Sequence, residues 1–393
     1  MLNLICREPY RVLFPAGLVM AFFGLGVWVT WWLWPGESYP LSAHADIQIK
    51  GLMMCFVYGF LLTMMPRLLE IKPIGPLQFL LIPVGMTGIL MTGMHGSLVL
   101  ANLIHLLLLG NFLLFVVIRF PGRRHNPPPP FVWVGLAMLA MVLATILLLA
   151  GQWGWLDLPT RVFFLVKGIQ LQGFLLMLIL GISSLLMPRL LGGGAGVQPA
   201  DLHKGSRTAG QYLGQLLLAL IFLSSWVVEN LVGDYSTGLR LAMVMRLGVC
   251  LWIFCGRSGI ARWPAGQPFF IKTAWLALWS IPVSFLFNLV DPSLRMAWDH
   301  ILYVNGFLLL AMSIASRVIA THGGREELLT RSRKWVLVYS GILLLGMVTR
   351  VTAPLLRTRD IHLGMAAASV LLALLIWAAL FFTALTGTPD DGS

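Results

Sequence analysis

Charge is scarce in this sequence. Only 11% of its 393 residues are Asp, Glu, Lys or Arg, whereas 58% are hydrophobic and the mean hydropathy is +0.86. A soluble domain of this length could not bury so much apolar side chain, which excludes a soluble globular protein. Nearly every apolar block reaches the roughly 20 residues that cross a bilayer as a helix. The sequence therefore predicts an all-α, polytopic protein embedded in a lipid bilayer.

Cysteine is scarce as well. Cys6, Cys55, Cys250 and Cys255 lie in or beside apolar blocks and in no Cys-x-x-Cys spacing. This pattern excludes a cysteine-rich disulfide framework and favours small apolar packing side chains.

Acidic residues are fewer than basic ones, 15 against 27, which gives a net charge of +12. In a soluble protein this excess would suggest nucleic-acid binding, but here the positive-inside rule explains it, and we expect no nucleic-acid partner. Clusters such as Arg123 and Arg124 follow even-numbered spans, whereas the odd-numbered gaps carry mostly acidic residues. We therefore expect a bacterial inner-membrane protein with both termini, including a short tail at 386–393, in the cytoplasm. The twelve or so predicted spans are roughly 11–34, 47–69, 77–94, 97–118, 131–151, 162–187, 209–232, 238–256, 270–290, 300–320, 334–356 and 361–385.

Part of the sequence is repeated. "GLMMCFVYGFLLTMMPRLL" (51–69) in span 2 aligns without gaps with "GFLLMLILGISSLLMPRLL" (173–191) in span 6, at an offset of 122 residues. Aligning Arg189 with Arg317 makes "GFLLLAMSIASRV" (306–318) in span 10 a weaker third copy. These similarities predict one membrane domain, 1–393, built of three four-helix repeats at roughly 1–130, 131–256 and 257–385.

Ionisable side chains within the spans are candidates for function because they are costly in a bilayer. Histidine is the commonest ligand of haem iron and copper, and buried cations suit haem propionates. His95 also follows Met91 and Met94, a soft set that suits Cu(I). The candidates in the outer half of the membrane are His44, Lys50, His95, His105, Lys167, Arg246, His300, Arg350 and His362.

The same basic layer supports another hypothesis, a secondary transporter for a small anion. Such transporters commonly contain inverted repeats. Here spans 2, 6 and 10 run in the same direction, which counts against this alternative.

His300 and His322 mark opposite sides of the membrane. The 22 residues between them extend for roughly 33 Å of helix, so a single metal cannot bind both. His300 belongs to the outer layer, with Asp299 beside it as a possible partner of its ring. His322 is a weaker ligand candidate, which we expect to close the inner end of the helix.

Three segments resemble the NnrS family of membrane proteins. "HADIQIKGLMMCFVYGFLLTMMP" (44–66) is similar to the second-helix signature of that family, and "HILYVNGFLLLAMSIASRVIATHGGR" (300–325) to its late signature. "GMVTRVTAPLL" (346–356) fits its penultimate helix. The second histidine of the first signature and the glutamate after it are replaced here by Asp46 and Ile47.

The resemblance implies a haem- and copper-containing protein of nitrosative-stress defence or denitrification that binds or metabolises nitric oxide, with a b-type haem and a quinol or cytochrome as electron donor. His44 and His300 are the expected axial ligands, since their spans are related by the repeat. His95, His105 and His362 are candidates for a second haem or copper, and Lys50, Lys167, Arg246 and Arg350 for propionates. A weaker, fold-level similarity is to the catalytic subunit of haem-copper oxidases, although Gln170 and Gln172 stand where those enzymes have histidines.

Overall fold

Twelve long helices make up most of the molecule, as the sequence predicts. A computed structural model describes residues 2–34, 40–191 and 208–387, and this part of the chain contains no strand. Short helices also occur at Leu2–Arg7, before span 1, and at Glu327–Arg331, between spans 10 and 11. The twelve spans, numbered in chain order, are Tyr10–Leu33, Leu41–Leu69, Pro76–Met94, Leu98–Gly122, Phe131–Gln152, Thr160–Leu191, Ala209–Leu231, Tyr235–Gly256, Phe269–Val290, Pro292–His322, Arg333–Leu355 and Arg359–Leu385.

Spans 2, 6 and 10 form the centre of the bundle. The buried share of their most apolar windows is 72%, 61% and 67%, against at most 56% for any other span in the described ranges. The remaining spans pack around them in the order 1, 3, 4, 5, 7, 8, 9, 11 and 12, and span 12 returns to span 1. A single hydrophobic core joins residues of all twelve spans.

The central spans are also the longest, at 29, 32 and 31 residues. Spans 2 and 10 begin six to eight residues before the predicted positions 47 and 300, and span 6 begins at Thr160 rather than 162. The predicted starts of spans 2 and 10 are too late because Asp46 and Asp299 interrupt the apolar pattern there, and Lys167 is a third charged residue near the start of a central span. All three side chains lie in ion pairs within the bundle.

Each central span contains a π-helical segment in its outer part. The segments are Ile47–Met53, Ile169–Gly173 and Ile301–Leu309. The first two begin 122 residues apart, which matches the offset of the sequence repeat. The third begins at Ile301, whereas the register aligned on Arg317 would place it at residue 297. Three four-helix repeats remain a prediction, with the π segments as a shared feature of their second helices.

An even number of spans places the two ends of the bundle on the same face of the membrane. Residues 388–393, most of the predicted cytoplasmic tail, lie outside the described residues.

Candidate functional site

His44 and His300 are held in the same way. His44 Nδ1 lies 2.7 Å from the carbonyl oxygen of Gly24, and His300 Nδ1 lies 2.6 Å from that of Met296. A carbonyl oxygen only accepts hydrogen bonds, so Nδ1 carries the proton in both rings. Nε2 then keeps its lone pair, which is the usual arrangement of a histidine that binds a metal.

His44 on span 2 and His300 on span 10 both lie near Arg350 of span 11, whose charge acts on both rings. Both histidines lie in the N-terminal parts of central helices. A π segment begins directly after His300 and three residues after His44. We call His44, His300 and Arg350 the histidine-pair site.

Aromatic side chains enclose this site. The Trp28 ring packs edge-on against His44 with centroids 5.7 Å apart, and Tyr303 packs the same way against His300 at 5.7 Å. Gln48 lies one turn after His44 on the same helix face. Its buried amide nitrogen has no hydrogen-bond partner among the described residues.

These residues fit a haem better than a small metal ion. Two histidines with free Nε2 atoms suit axial ligation, and a nearby guanidinium suits a propionate. The unpartnered Gln48 amide is a further donor that a bound group would satisfy. A cluster of three or more His, Cys, Asp or Glu suited to a lone metal ion is not found in the described part of the chain.

A second polar group, cluster A, lies between spans 2, 4, 5 and 6. Asp46 Oδ1 lies 2.9 Å from Lys50 Nζ and 3.6 Å from Lys167 Nζ. These distances make both contacts ion pairs, but neither has the geometry of a hydrogen bond. Lys50 also donates to Asn102 Oδ1 at 2.8 Å, and Gln170 Nε2 donates to the same oxygen at 3.2 Å. The two lysines therefore hold a buried carboxylate of their own.

His105 lies one turn below Asn102 on span 4, beside cluster A. Its ring is completely buried, and neither nitrogen has a hydrogen-bond partner among the described residues. The charge of Lys50 acts on it. The structure thus places His105 with the lysines and not with His44.

A third polar group, cluster B, joins spans 6, 7, 8, 9 and 10. Arg246 donates to Glu229 at 2.5 Å, and Arg295 pairs with the same carboxylate. Asp299 accepts hydrogen bonds from Gln172 at 2.8 Å and from Asn288 at 3.0 Å. Asp299 therefore stabilises this cluster, and the suggestion that it orients the ring of His300 is wrong, because the Met296 carbonyl does so.

The other two candidate histidines at this end of the bundle each contact a carbonyl of their own chain segment. His95 is exposed at the end of span 3 with Nδ1 on the Met91 carbonyl at 2.7 Å, and His362 is half-buried at the start of span 12 with Nδ1 on the Thr358 carbonyl at 2.9 Å. Met91 and Met94 are exposed too, at 54% and 44%.

His322 lies at the inner end of span 10, as expected from the helix length. Arg67 donates to its ring, and its Nδ1 is 3.8 Å from Glu8. Glu8 also pairs with Arg11 at 2.6 Å and with Arg67 at 3.0 Å. This inner ion cluster links the inner ends of spans 1, 2 and 10.

Sequence reasoning missed Gln48, Asn102 and Arg295. The i, i+4 spacing of Asp46 with Lys50 and of Arg295 with Asp299 was a usable signal for the ion pairs. Nothing in the sequence pointed to Gln48, because its role depends on how closely span 1 approaches span 2.

Comparison with known proteins agrees with the sequence signatures. The family model described as "NnrS protein" matches residues 4–388. No curated protein matches the sequence. Because the family match covers nearly the whole described chain, this protein belongs to the NnrS family.

Proposed function

We propose that this protein binds a b-type haem at the histidine-pair site, near the outer face of the bacterial inner membrane, and that it binds or turns over nitric oxide there. The observation that carries the proposal is the shared state of His44 and His300. They come from helices more than 250 residues apart in the sequence, share one electrostatic environment with Arg350, and both present Nε2.

The residues of the site have separate roles in this proposal. His44 and His300 would hold the iron, and the backbone carbonyls of Gly24 and Met296 fix the two rings. Arg350 pairs with a propionate. When bound, the haem would supply a redox-active iron, and a small diatomic gas would bind there only after one of the two histidines dissociates, because together they fill the iron's remaining positions.

The surrounding side chains keep water out of the site. Trp28 and Tyr303 cover the histidine rings, and the Gln48 amide offers a hydrogen bond to a propionate or to a gas bound at the iron. Neutral donors and an apolar shell of this kind tune both the ligand affinity and the reduction potential of a haem. A turnover reaction also needs electrons, and a membrane quinol or a cytochrome is the donor class we propose.

The other cations are less suited to propionates. Lys50 and Lys167 already pair with Asp46, and Arg246 pairs with Glu229. These pairings also weaken the alternative of an anion transporter, because they neutralise most of the basic layer that such a transporter would use.

Substitution of the two histidines tests the proposal. In the purified protein, His44→Ala and His300→Ala should each lower the Soret absorbance per protein by about tenfold or more, since loss of even a supporting residue costs 10–100-fold in metal affinity. His95→Ala, which removes an exposed histidine with the same Nδ1 contact, is the matched control and should keep the band. Unchanged Soret bands in both site variants would refute the assignment.

A further inference from the structure

A large apolar cavity lies at the centre of the bundle. It has a volume of about 110 Å³ and is partly open at one side, and most of its lining comes from spans 2, 6 and 10, with Phe14 and Leu278 added from spans 1 and 9. Among the described residues that line it, Ser183 has the only polar side chain. The Ser183 hydroxyl is already bonded to the Leu180 carbonyl of its own helix at 3.4 Å.

The cavity begins at the π segments that follow the two histidines. Met53, the last residue of the first π segment, and Phe307, within the third, both line it. Phe307 is seven residues after His300, about 10 Å along a helix, and Met53 is nine residues after His44, about 14 Å. The cavity therefore begins about 10 to 14 Å along the helices from the two histidines and extends towards the opposite end of the bundle, where Leu190 and Phe14 line it.

The walls select the kind of occupant. An apolar cavity with no spare polar group stays dry and takes small apolar molecules such as xenon. A quinol or a lipid would need a polar partner for its head group, and the single hydroxyl in the wall is already bonded within its own helix. A small uncharged gas needs none and partitions out of water into such a space.

We propose that this central cavity is a binding site for small apolar gases, which collects nitric oxide from the membrane and delivers it to the histidine-pair site. The delivery step rests on the proposed function, whereas gas binding in the cavity does not. Ile179 and Ala311 are partly buried and line the cavity, so larger side chains at these two positions can fill the space.

Filling the cavity tests the proposal in two ways. In xenon-pressurised crystals or by xenon NMR, the wild-type protein should bind xenon among spans 2, 6 and 10, and Ala311→Phe or Ile179→Trp should abolish that binding. By flash photolysis of the reduced protein, the same variants should slow bimolecular nitric oxide or carbon monoxide association several-fold at an unchanged Soret maximum. Leu217→Trp, at a lipid-facing position that is 52% exposed, is the control and should change neither result.

The outcomes separate the two proposals. A protein without haem refutes the proposed function, but its xenon site still shows whether the cavity binds gas. Xenon binding that persists in both filled variants, or gas association that is as fast in them as in the wild type, refutes the cavity proposal. So does a lipid or quinone that co-purifies with the wild-type protein and is displaced by Ala311→Phe. Two filling variants are used, and thermal melting of each shows whether it folds, so that the test does not depend on a single variant.

Discussion

Gly24 sets the distance between spans 1 and 2 at the point where His44 is oriented. A Cβ at this position would lie 2.9 Å from Ile47 Cγ2 and 2.5 Å from Gln48 Nε2, whereas a Cβ at Gly26 would meet nothing within 4 Å. The Gly24 carbonyl is also the acceptor for His44 Nδ1. The absence of a side chain therefore determines both the helix contact and the direction of the ring.

Gly24→Ala should separate the two spans and turn the His44 ring. We expect a loss of about 1–3 kcal/mol in stability, the usual cost of overpacking, together with a lower haem content. Thermal melting and the ratio of Soret to protein absorbance measure both effects. Gly26→Ala is the matched control, and equal haem content in the two variants would show that Gly24 does not position His44.

At this scale the sequence predicted the residue types but not all of their partners. His44 and His300 stood out because a histidine is costly in a membrane and their helices are related. The partner of Arg246 was not predicted, because Glu229 reaches it only when spans 7 and 8 pack. The pairing of Lys50 with Asp46 was also missed, although its i, i+4 spacing within span 2 was readable. Lys50, Lys167 and Arg246 were therefore assigned to propionates although each has a carboxylate partner.

We expect the three π segments to set the direction in which the neighbouring polar side chains point. A π-helix has wider turns than an α-helix, and short π segments recur at functional sites. His44 and Asp46 are two residues apart, about 200° around the helix, so they face different neighbours. The π segment that follows them sets how both are turned relative to the apolar part of span 2.

Deletion of Val304 from the third π segment should therefore disrupt the site. Removing one residue allows the segment to wind as an α-helix, which changes the height and the direction of His300 relative to the rest of span 10. We expect the protein to insert in the membrane and to lose its Soret band. Deletion of Asp157 from the exposed loop after span 5 is the control. A normal haem spectrum in the Val304 deletion would show that the π segment does not orient the ligand.

Helix number and order were predictable from hydropathy, because a bilayer requires each span to satisfy its backbone internally. The π segments were not predictable, since nothing in "IQIKG" or "ILYVNG" differs in composition from an ordinary apolar helix. The π segments of spans 2 and 6 do lie at corresponding positions of the sequence repeat. In both, the segment begins at an isoleucine, Ile47 or Ile169, four residues before a glycine.

In the described ranges, nine helices form a ring around three, with polar groups at one end of the bundle and an apolar space beyond them. The distribution of Arg and Lys among the loops predicts that the histidine-pair site faces the periplasm. Added to intact cells, a membrane-impermeant maleimide should label Trp155→Cys, in the loop after span 5, but not Arg124→Cys, in the loop after span 4. Both positions are exposed, at 77% for Trp155 and 79% for the Arg124 side chain. The opposite labelling would invert the orientation and place the site on the cytoplasmic side.

The absorption spectrum of the purified full-length protein tests the central claim most directly. The oxidised protein should show a Soret band at a stoichiometry of at least one haem per chain. After reduction with dithionite it should show the sharp α and β bands of a haem with two histidine ligands. Nitric oxide should then shift the Soret band of the reduced form. A protein that is folded by thermal melting but has no Soret band, before and after reconstitution with haem, would contradict the account.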